Sequence, residues 1–346
     1  MKVAVLGHFG GGKNLLNGQT IKTKIVTQEL QNQLGSDQVK RIDTHGGWKT
    51  LFKAPYQVFR ALKDASNVLM FPAHNGLRIY APLISFQKHF FRNKRIHYVV
   101  IGGWLPPFLE KRRWLARSLK KFDGIYVETN TMKLAMEKQG FENVFIMPNC
   151  KELTPLSENE LIYQNEHPYK LCTFSRVMKE KGIEDAVEAV KYVNEKIGKI
   201  AYTLDIYGQV DSEQTEWFEE VKGRFPSYVR YGGLVPFDTS VEVLKDYFAL
   251  LFPTRFYTEG IPGTIIDAYA AGVPVISAKW ESFGDMVDEN ITGLGYEFGD
   301  SEDLRCQLSY MAEHVDEINA WKQNCIEKSR QFLPQEAVKI MLERFA

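Results

Sequence analysis

The stretch Phe252-Pro253-Thr254-Arg255-Phe256-Tyr257-Thr258-Glu259-Gly260-Ile261-Pro262-Gly263-Thr264-Ile265-Ile266-Asp267-Ala268-Tyr269-Ala270-Ala271-Gly272-Val273-Pro274-Val275-Ile276 decides the fold. It reads as strand, glycine turn, helix and strand. The apolar run Ala249–Phe252 predicts a strand that stops at Pro253. Glu259 begins a loop, and Gly260 to Gly263 let backbone N–H groups come close to a ligand. A helix is predicted from about Thr264 to Ala271, ended by Gly272, with a strand over Val273–Ser277 behind it. Strand, crossover helix and strand make the unit of a parallel sheet.

Outward from this unit the same alternation continues in both directions. Strands are predicted at Leu171–Phe174, Thr203–Tyr207 and Val229–Tyr231, with helices at Gly182–Ile197, Gln214–Phe225 and Ser240–Asp246. Residues 302 to 345 are helical by pattern, interrupted near Pro334. A separate series fills the N-terminal part. Its strands are Val3–Leu6, Val68–Phe71, His97–Ile101, Gly124–Glu128 and Val144–Met147, and its helices Gln19–Leu34 and Thr131–Gln139. Residues 151–169 are polar and hold Pro155 and Pro168, which predicts a linker. The expected architecture is α/β, with two doubly wound Rossmann-like domains. They are a domain over 1–150, a domain over 170–330, and a C-terminal helix over 331–346 that can return to the first. Ligands of such folds bind at the carboxyl ends of the strands, so a cleft between the domains is the expected site.

Three segments can carry chemistry. The loop Gly7-His8-Phe9-Gly10-Gly11-Gly12-Lys13-Asn14 follows a strand and has the glycine spacing of a P-loop, but Asn14 stands where magnesium needs a hydroxyl. It reads better as a glycine loop near a phosphate or sugar, with Gly11 and with Gly18-Gln19 at the helix start, or as a plain strand-to-helix turn. The second segment runs from Phe174 to Gly182. There Arg176 offers a planar fork for phosphate and Lys181 a point charge, beside a helix N-terminus. The third is the opening stretch. Asp267 is expected in the first turn of its helix, turned to the same cleft, where a carboxylate can accept both hydrogen bonds of a vicinal diol such as a ribose. The alternative is that Asp267 only stabilises the helix N-terminus.

Charge divides the chain. Residues 1 to 123 hold 21 Lys and Arg against 6 Asp and Glu, and the remainder 22 against 37. A split of this size predicts that the basic part meets an anionic partner. Between Phe86 and Phe122 the cations interleave with aromatics. A helix from about Pro107, with Leu115, Leu119 and Phe122 on one face, predicts either an amphipathic helix on an anionic membrane or an ordinary core helix with a solvated basic face. No recognised nucleic-acid module occurs. The start Met1-Lys2-Val3-Ala4-Val5-Leu6-Gly7 reads as a strand, not a signal peptide. Cys150, Cys172, Cys306 and Cys325 show no metal-ligand spacing and predict reduced thiols of a cytoplasmic protein.

Together these segments resemble the retaining glycosyltransferases of family four, which have the GT-B fold. The resemblance extends over nearly the whole chain. It rests on Arg176, Lys181 and Gly182, on Glu259 followed at the signature spacing by Asp267, on Ala268 to Ile276, on Pro148-Asn149, and on Leu204 to Gly208. It implies a hexosyl transfer from a nucleotide diphosphate-sugar, UDP by family habit, to a saccharide or lipid-linked saccharide acceptor in bacterial surface polysaccharide synthesis. Arg176 and Lys181 would hold the diphosphate and Glu259 the donor sugar. Gly260, Ile261, Pro262, Gly263 and Thr264 would offer donor contacts, and Asp267 would hold the ribose. No metal and no cofactor are implied, and the place of work would be the inner face of the cell membrane. Two departures stand out: Asp267 replaces a Glu, and Gly102-Gly103 stands where relatives carry a His, whose task Gly103 backbone or His74 would take. The competing readings are a sugar-nucleotide epimerase of the same fold and a catalytically degenerate binding module.

Overall fold

The computed structural model describes residues 1–12, 18–46, 52–236 and 238–345. Lys13 and Asn14, on which the P-loop comparison turned, lie outside them. The chain forms two compact units. One holds Met1–Glu152 with Phe332–Ala346, the other Leu153–Gln331.

The first unit is built on six parallel strands: β1 (Val3–Gly7), β2 (Val39–Asp43), β3 (Asn67–Met70), β4 (Arg95–Val99), β5 (Gly124–Val127) and β6 (Val144–Ile146). They lie in the order β2-β1-β3-β4-β5-β6. β1, β3 and β5 are buried along their whole length, as strands covered on both faces must be. One face is covered by α1 (Gly18–Leu34) and the last helix, α14 (Pro334–Leu342), through Val26, Leu30, Ala337, Val338 and Met341. The other is covered by α2 (Ala54–Asp64), α3 (His74–Gln87), α4 (Leu105–Glu110), α5 (Arg113–Leu119) and α6 (Asn130–Lys138). Thr129 caps α6, its hydroxyl accepting from Met132 N–H at 3.1 Å.

The second unit repeats the plan with β7 (Tyr169–Phe174), β8 (Tyr202–Tyr207), β9 (Val229–Gly233), β10 (Ala249–Phe252), β11 (Val275–Ala278) and β12 (Gly293–Tyr296), in the order β12-β11-β10-β7-β8-β9. Its helices are α7 (Ile183–Ile197), α8 (Thr215–Lys222), α9 (Ser240–Leu244), α10 (Gly263–Ala270), α11 (Phe283–Met286), α12 (Ser301–Glu313) and α13 (Val315–Ser329). Both units are doubly wound and Rossmann-like.

Several expectations change. Residues 153–168 group with the second unit: Leu156 N–H bonds the Ala270 carbonyl at 2.9 Å, and Asn319 reaches the Gln164 carbonyl at 3.1 Å. The basic helix from about Pro107 is two short helices, α4 and α5, broken at Lys111-Arg112. Leu115, Leu119 and Phe122, its proposed membrane face, are buried in the core. Their apolar surface is already spent on folding, so of the two readings the core helix holds. No described helix is long and apolar enough to cross a membrane. All four cysteines are unpaired.

One buried base makes the first unit acid-sensitive. His97 in β4 sits with Nδ1 3.1 Å from the Tyr126 hydroxyl, and the Phe345 ring centroid lies 4.8 Å away. Burial pulls its pKa down from 6.5 to about 4. Between those two pH values the unfolded chain holds a proton that the folded chain refuses, so stability rises with pH across that window. The first unit should lose up to ~3 kcal/mol between pH 6.5 and 4 on this account. Urea denaturation of His97→Gln across the same window should show a visibly flatter slope than the parent chain.

Candidate active site

The site in the second unit begins where β7 ends. β7 and β10 are parallel neighbours, with Leu171 opposite Ala249, so the loops after them emerge side by side. Gly182 locks them together. Its φ is +67°, and a Cβ there would stand 1.9 Å from the Pro253 carbonyl oxygen, so only glycine fits. The Arg255 N–H adds a bond to the Glu180 carbonyl at 2.8 Å. A matching lock, Gly208, holds the loop after β8, where a Cβ would meet the Ser175 carbonyl oxygen at 1.8 Å.

These constraints bring Lys181 and Glu259 together across 78 residues, with the ammonium donating to Glu259 Oε1. Both side chains are mostly buried, at 15% and 16% exposure. The Lys181 ammonium also lies 5.0 Å from the Phe256 ring centroid and 5.4 Å from that of Phe252. Thr264 donates its hydroxyl to the Phe174 carbonyl, which ties the first turn of α10 to the end of β7. Gly260, Ile261, Pro262 and Gly263 form the turn between Glu259 and that helix, and Ile261 is buried. Arg176 is on the same β7 loop but points outward: its guanidinium is 61% exposed and meets Asp211 at 3.5 Å.

Asp267 is displaced from its expected place. α10 starts at Gly263, so Asp267 falls in the second turn and cannot cap the helix N-terminus. It is buried, and its Oδ1 accepts from the Ser240 hydroxyl at 3.1 Å, on the first residue of α9.

A second polar group in this unit escaped the sequence reading. Asp205, inside β8, takes a forked pair from Arg230, Nε at 2.5 Å and Nη2 at 2.8 Å, and a bond from the Tyr247 hydroxyl. Burial and this bond to Asp205 push the Tyr247 phenol far above its ordinary value. The signal was an acid between Leu204 and Ile206 in an apolar run, since buried acids are paired. A cavity of about 650 Å³ is lined by these residues together with Tyr207, Lys170 and Glu242.

In the first unit a cavity of about 860 Å³ opens at the carboxyl ends of β1, β2 and β3. Gln19 and His74 line it, with His8, His45, Arg78 and Tyr80, which sequence reading did not select. Thr20, His8 and His45 form a chain: His8 Nδ1 lies 2.7 Å from Thr20 Oγ1, and His8 Nε2 lies 2.7 Å from His45 Nδ1. Burial and then His45 pull the His8 imidazole below its ordinary value, with Asp43 acting against them. Burial, then Arg78 and Arg112, lower His74, which stacks on Trp104 at 3.9 Å. Neutral imidazoles can both accept and donate hydrogen bonds. Gly11, at φ +57°, gives its N–H to Asp43 at 2.8 Å and lies against the His45 ring. Gly18 starts α1, and Gly103 is a buried residue before α4; neither lines the cavity. Among the described residues no cluster of His, Cys, Asp and Glu could hold a metal ion.

Residues 168–314 match the family model of the glycosyl transferases group 1. The amylovoran biosynthesis glycosyltransferase AmsK of Erwinia amylovora is 23% identical over 150 residues, which cover 42% of this chain and 36% of AmsK. Among solved structures, HepE of Anabaena in complex with UDP superposes with a TM-score of 0.74 at 13% identity, over 99% of both chains. A TarM variant from S. aureus, solved with fondaparinux, alpha-GlcNAc-glycerol and UDP, gives 0.64 at 17% identity over 86% of this chain and 59% of its own. The chain thus spans less than two thirds of AmsK and of TarM. The shared architecture is plain: the two units are the pair of Rossmann-like domains of the GT-B glycosyltransferase fold.

Proposed function

We propose that this chain is a retaining glycosyltransferase that moves a sugar from a UDP-sugar to a saccharide or lipid-linked saccharide during the synthesis of a bacterial surface polysaccharide. The observation that carries the reading is the Lys181–Glu259 pair at the carboxyl ends of neighbouring strands, beside the turn that opens α10. It lies in the part of the chain that matches the family model. AmsK supports the polysaccharide context by its name, and HepE and TarM support the donor class by the UDP they were solved with.

In this reading an acceptor hydroxyl attacks the anomeric carbon as the nucleotide diphosphate leaves. Lys181 and Arg176 offset the charge that grows on the leaving diphosphate, which is the main catalytic contribution. The long, solvent-facing contact of Arg176 with Asp211 is worth little, so its fork can turn to phosphate. Glu259 accepts from hydroxyls of the donor sugar, and Gly260 to Thr264 offer backbone donors. Asp267, whose Oδ1 accepts from Ser240, contacts the ribose directly or through a water. The two cations stand in for a metal. The acceptor is held in the first unit, in the cavity of Gln19, His74, His8 and His45, and is met at the inner face of a cell membrane.

UDP release from a panel of UDP-sugars, with and without saccharide acceptors and with EDTA present throughout, tests this. The expected result is acceptor-stimulated UDP release from one donor and a raised melting temperature with UDP. A donor isomer formed without UDP release would establish the epimerase instead. No release and no shift with any donor would leave a binding module.

A further inference from the structure

Tyr56, Phe59, Phe86, Phe90 and Trp114, five of the large aromatics of the first unit, are between 46% and 74% exposed. All come from its outer helical layer, α2, α3 with the turn after it, and α5. Contacts between these segments tie most of them into one area. Gln87 donates to the Pro55 carbonyl at 3.2 Å, which joins the end of α3 to the start of α2. The Phe86 and Phe90 rings lie 5.9 Å apart, and Phe59 meets Phe91 at 5.7 Å. Lys88 reaches the Lys121 carbonyl at 3.5 Å, which joins the end of α3 to the segment after α5. A folded protein seldom leaves so many rings in water without a partner for them.

Cations border the rings. Residues 52 to 123 hold 14 Lys and Arg against 3 Asp and Glu. Two of those acids are already matched, Asp64 by Lys40 at 2.5 Å and Asp123 by Lys88 at 2.6 Å. Arg60, Lys63, Arg92, Arg113, Arg117 and Lys121 remain exposed. Aromatic rings sit well at the boundary between lipid headgroups and acyl chains, while Lys and Arg stay at the phosphates.

We propose that this face docks on an anionic lipid bilayer, with the rings of Tyr56, Phe59, Phe86, Phe90 and Trp114 at the headgroup boundary. The inference extends the membrane part of the function proposed above and is independent of transfer chemistry. It replaces the buried face of Leu115, Leu119 and Phe122 by residues that water already reaches.

The test is sedimentation of the full chain with vesicles of phosphatidylcholine alone and of phosphatidylcholine mixed with phosphatidylglycerol. The parent should bind the mixed vesicles and not the neutral ones, less so as salt is raised. The pair Phe86→Ser and Phe90→Ser, and separately Arg113→Glu with Arg117→Glu, should each weaken binding by about tenfold or more. Both sets lie on exposed positions and should keep the parental melting temperature. Equal binding to both vesicle types, or undiminished binding by both variants, would overturn the proposal. So would a parent that stays off every vesicle but dimerises through this face, or that binds duplex DNA instead. UDP release, read on the same preparations without vesicles, reports the fate of the transferase reading separately.

Discussion

Glu259→Ala and Lys181→Ala should each lower kcat/KM for UDP release by about 10³-fold or more while the far-UV spectrum stays unchanged. The two side chains pair with each other, and the Lys181 ammonium lies near the rings of Phe252 and Phe256, in the loops beyond β7 and β10. In the proposed mechanism Lys181 meets the leaving diphosphate, and Glu259, its ion-pair partner, keeps that ammonium in position. Because they act as a unit, the double variant should be scarcely worse than either single one. Loss in kcat with little change in KM is expected for Lys181→Ala, since its charge matters most when the diphosphate departs. Near-parental turnover in either variant would remove this pair from the mechanism.

The largest stability effect is expected at Lys22. Its ammonium lies 2.7 Å from Glu128 Oε1 and 3.3 Å from the Val100 carbonyl, with both side chains at 3% exposure or less. The pair joins α1 to the chain just beyond β5. Lys22→Ala takes the ammonium away from the buried Glu128 carboxylate, at about 3–5 kcal/mol. Lys22→Met combined with Glu128→Leu should recover most of that, because no charge is then left inside. Equilibrium urea unfolding of the three chains reads both effects. A loss below ~1 kcal/mol for Lys22→Ala would mean that water or another cation reaches Glu128.

The parallel sheets were legible wherever strands are wholly apolar, as in Val3-Ala4-Val5-Leu6 or Ala249 to Phe252, because burial on both faces leaves no polar position. β2 was not. Val39-Lys40-Arg41-Ile42-Asp43 is an edge strand with only Val39 buried, so its composition looks like a loop. α3 was missed because Pro82 stands inside it, and β12 because Gly293 and Gly295 dilute its apolar signal. The basic helix was read as continuous because its periodicity is real, but Lys111-Arg112 interrupt it, and periodicity alone left open whether its face meets core or lipid. In the site, Lys181 and Glu259 were readable as residue types, whereas their direct pairing depends on Gly182 against Pro253, a tertiary contact. Asp267 was placed one turn too early because the helix begins at Gly263. His8, His45 and Arg78 carried no local pattern. They meet only because β1, β2 and β3 end together.

The return of α14 to the sheet it left near residue 152 has a consequence for synthesis. The sheet of the first unit is translated before the second unit, yet Ala337, Val338 and Met341, which complete its core against α1, are translated after the second unit. Until α14 emerges, that nascent sheet carries an uncovered apolar stripe over Val26 and Leu30. A stop after Gln331 that spares every residue of the second unit would still strip the first unit of this layer. Maturation of the first unit thus waits on residues that are made only after the whole second unit.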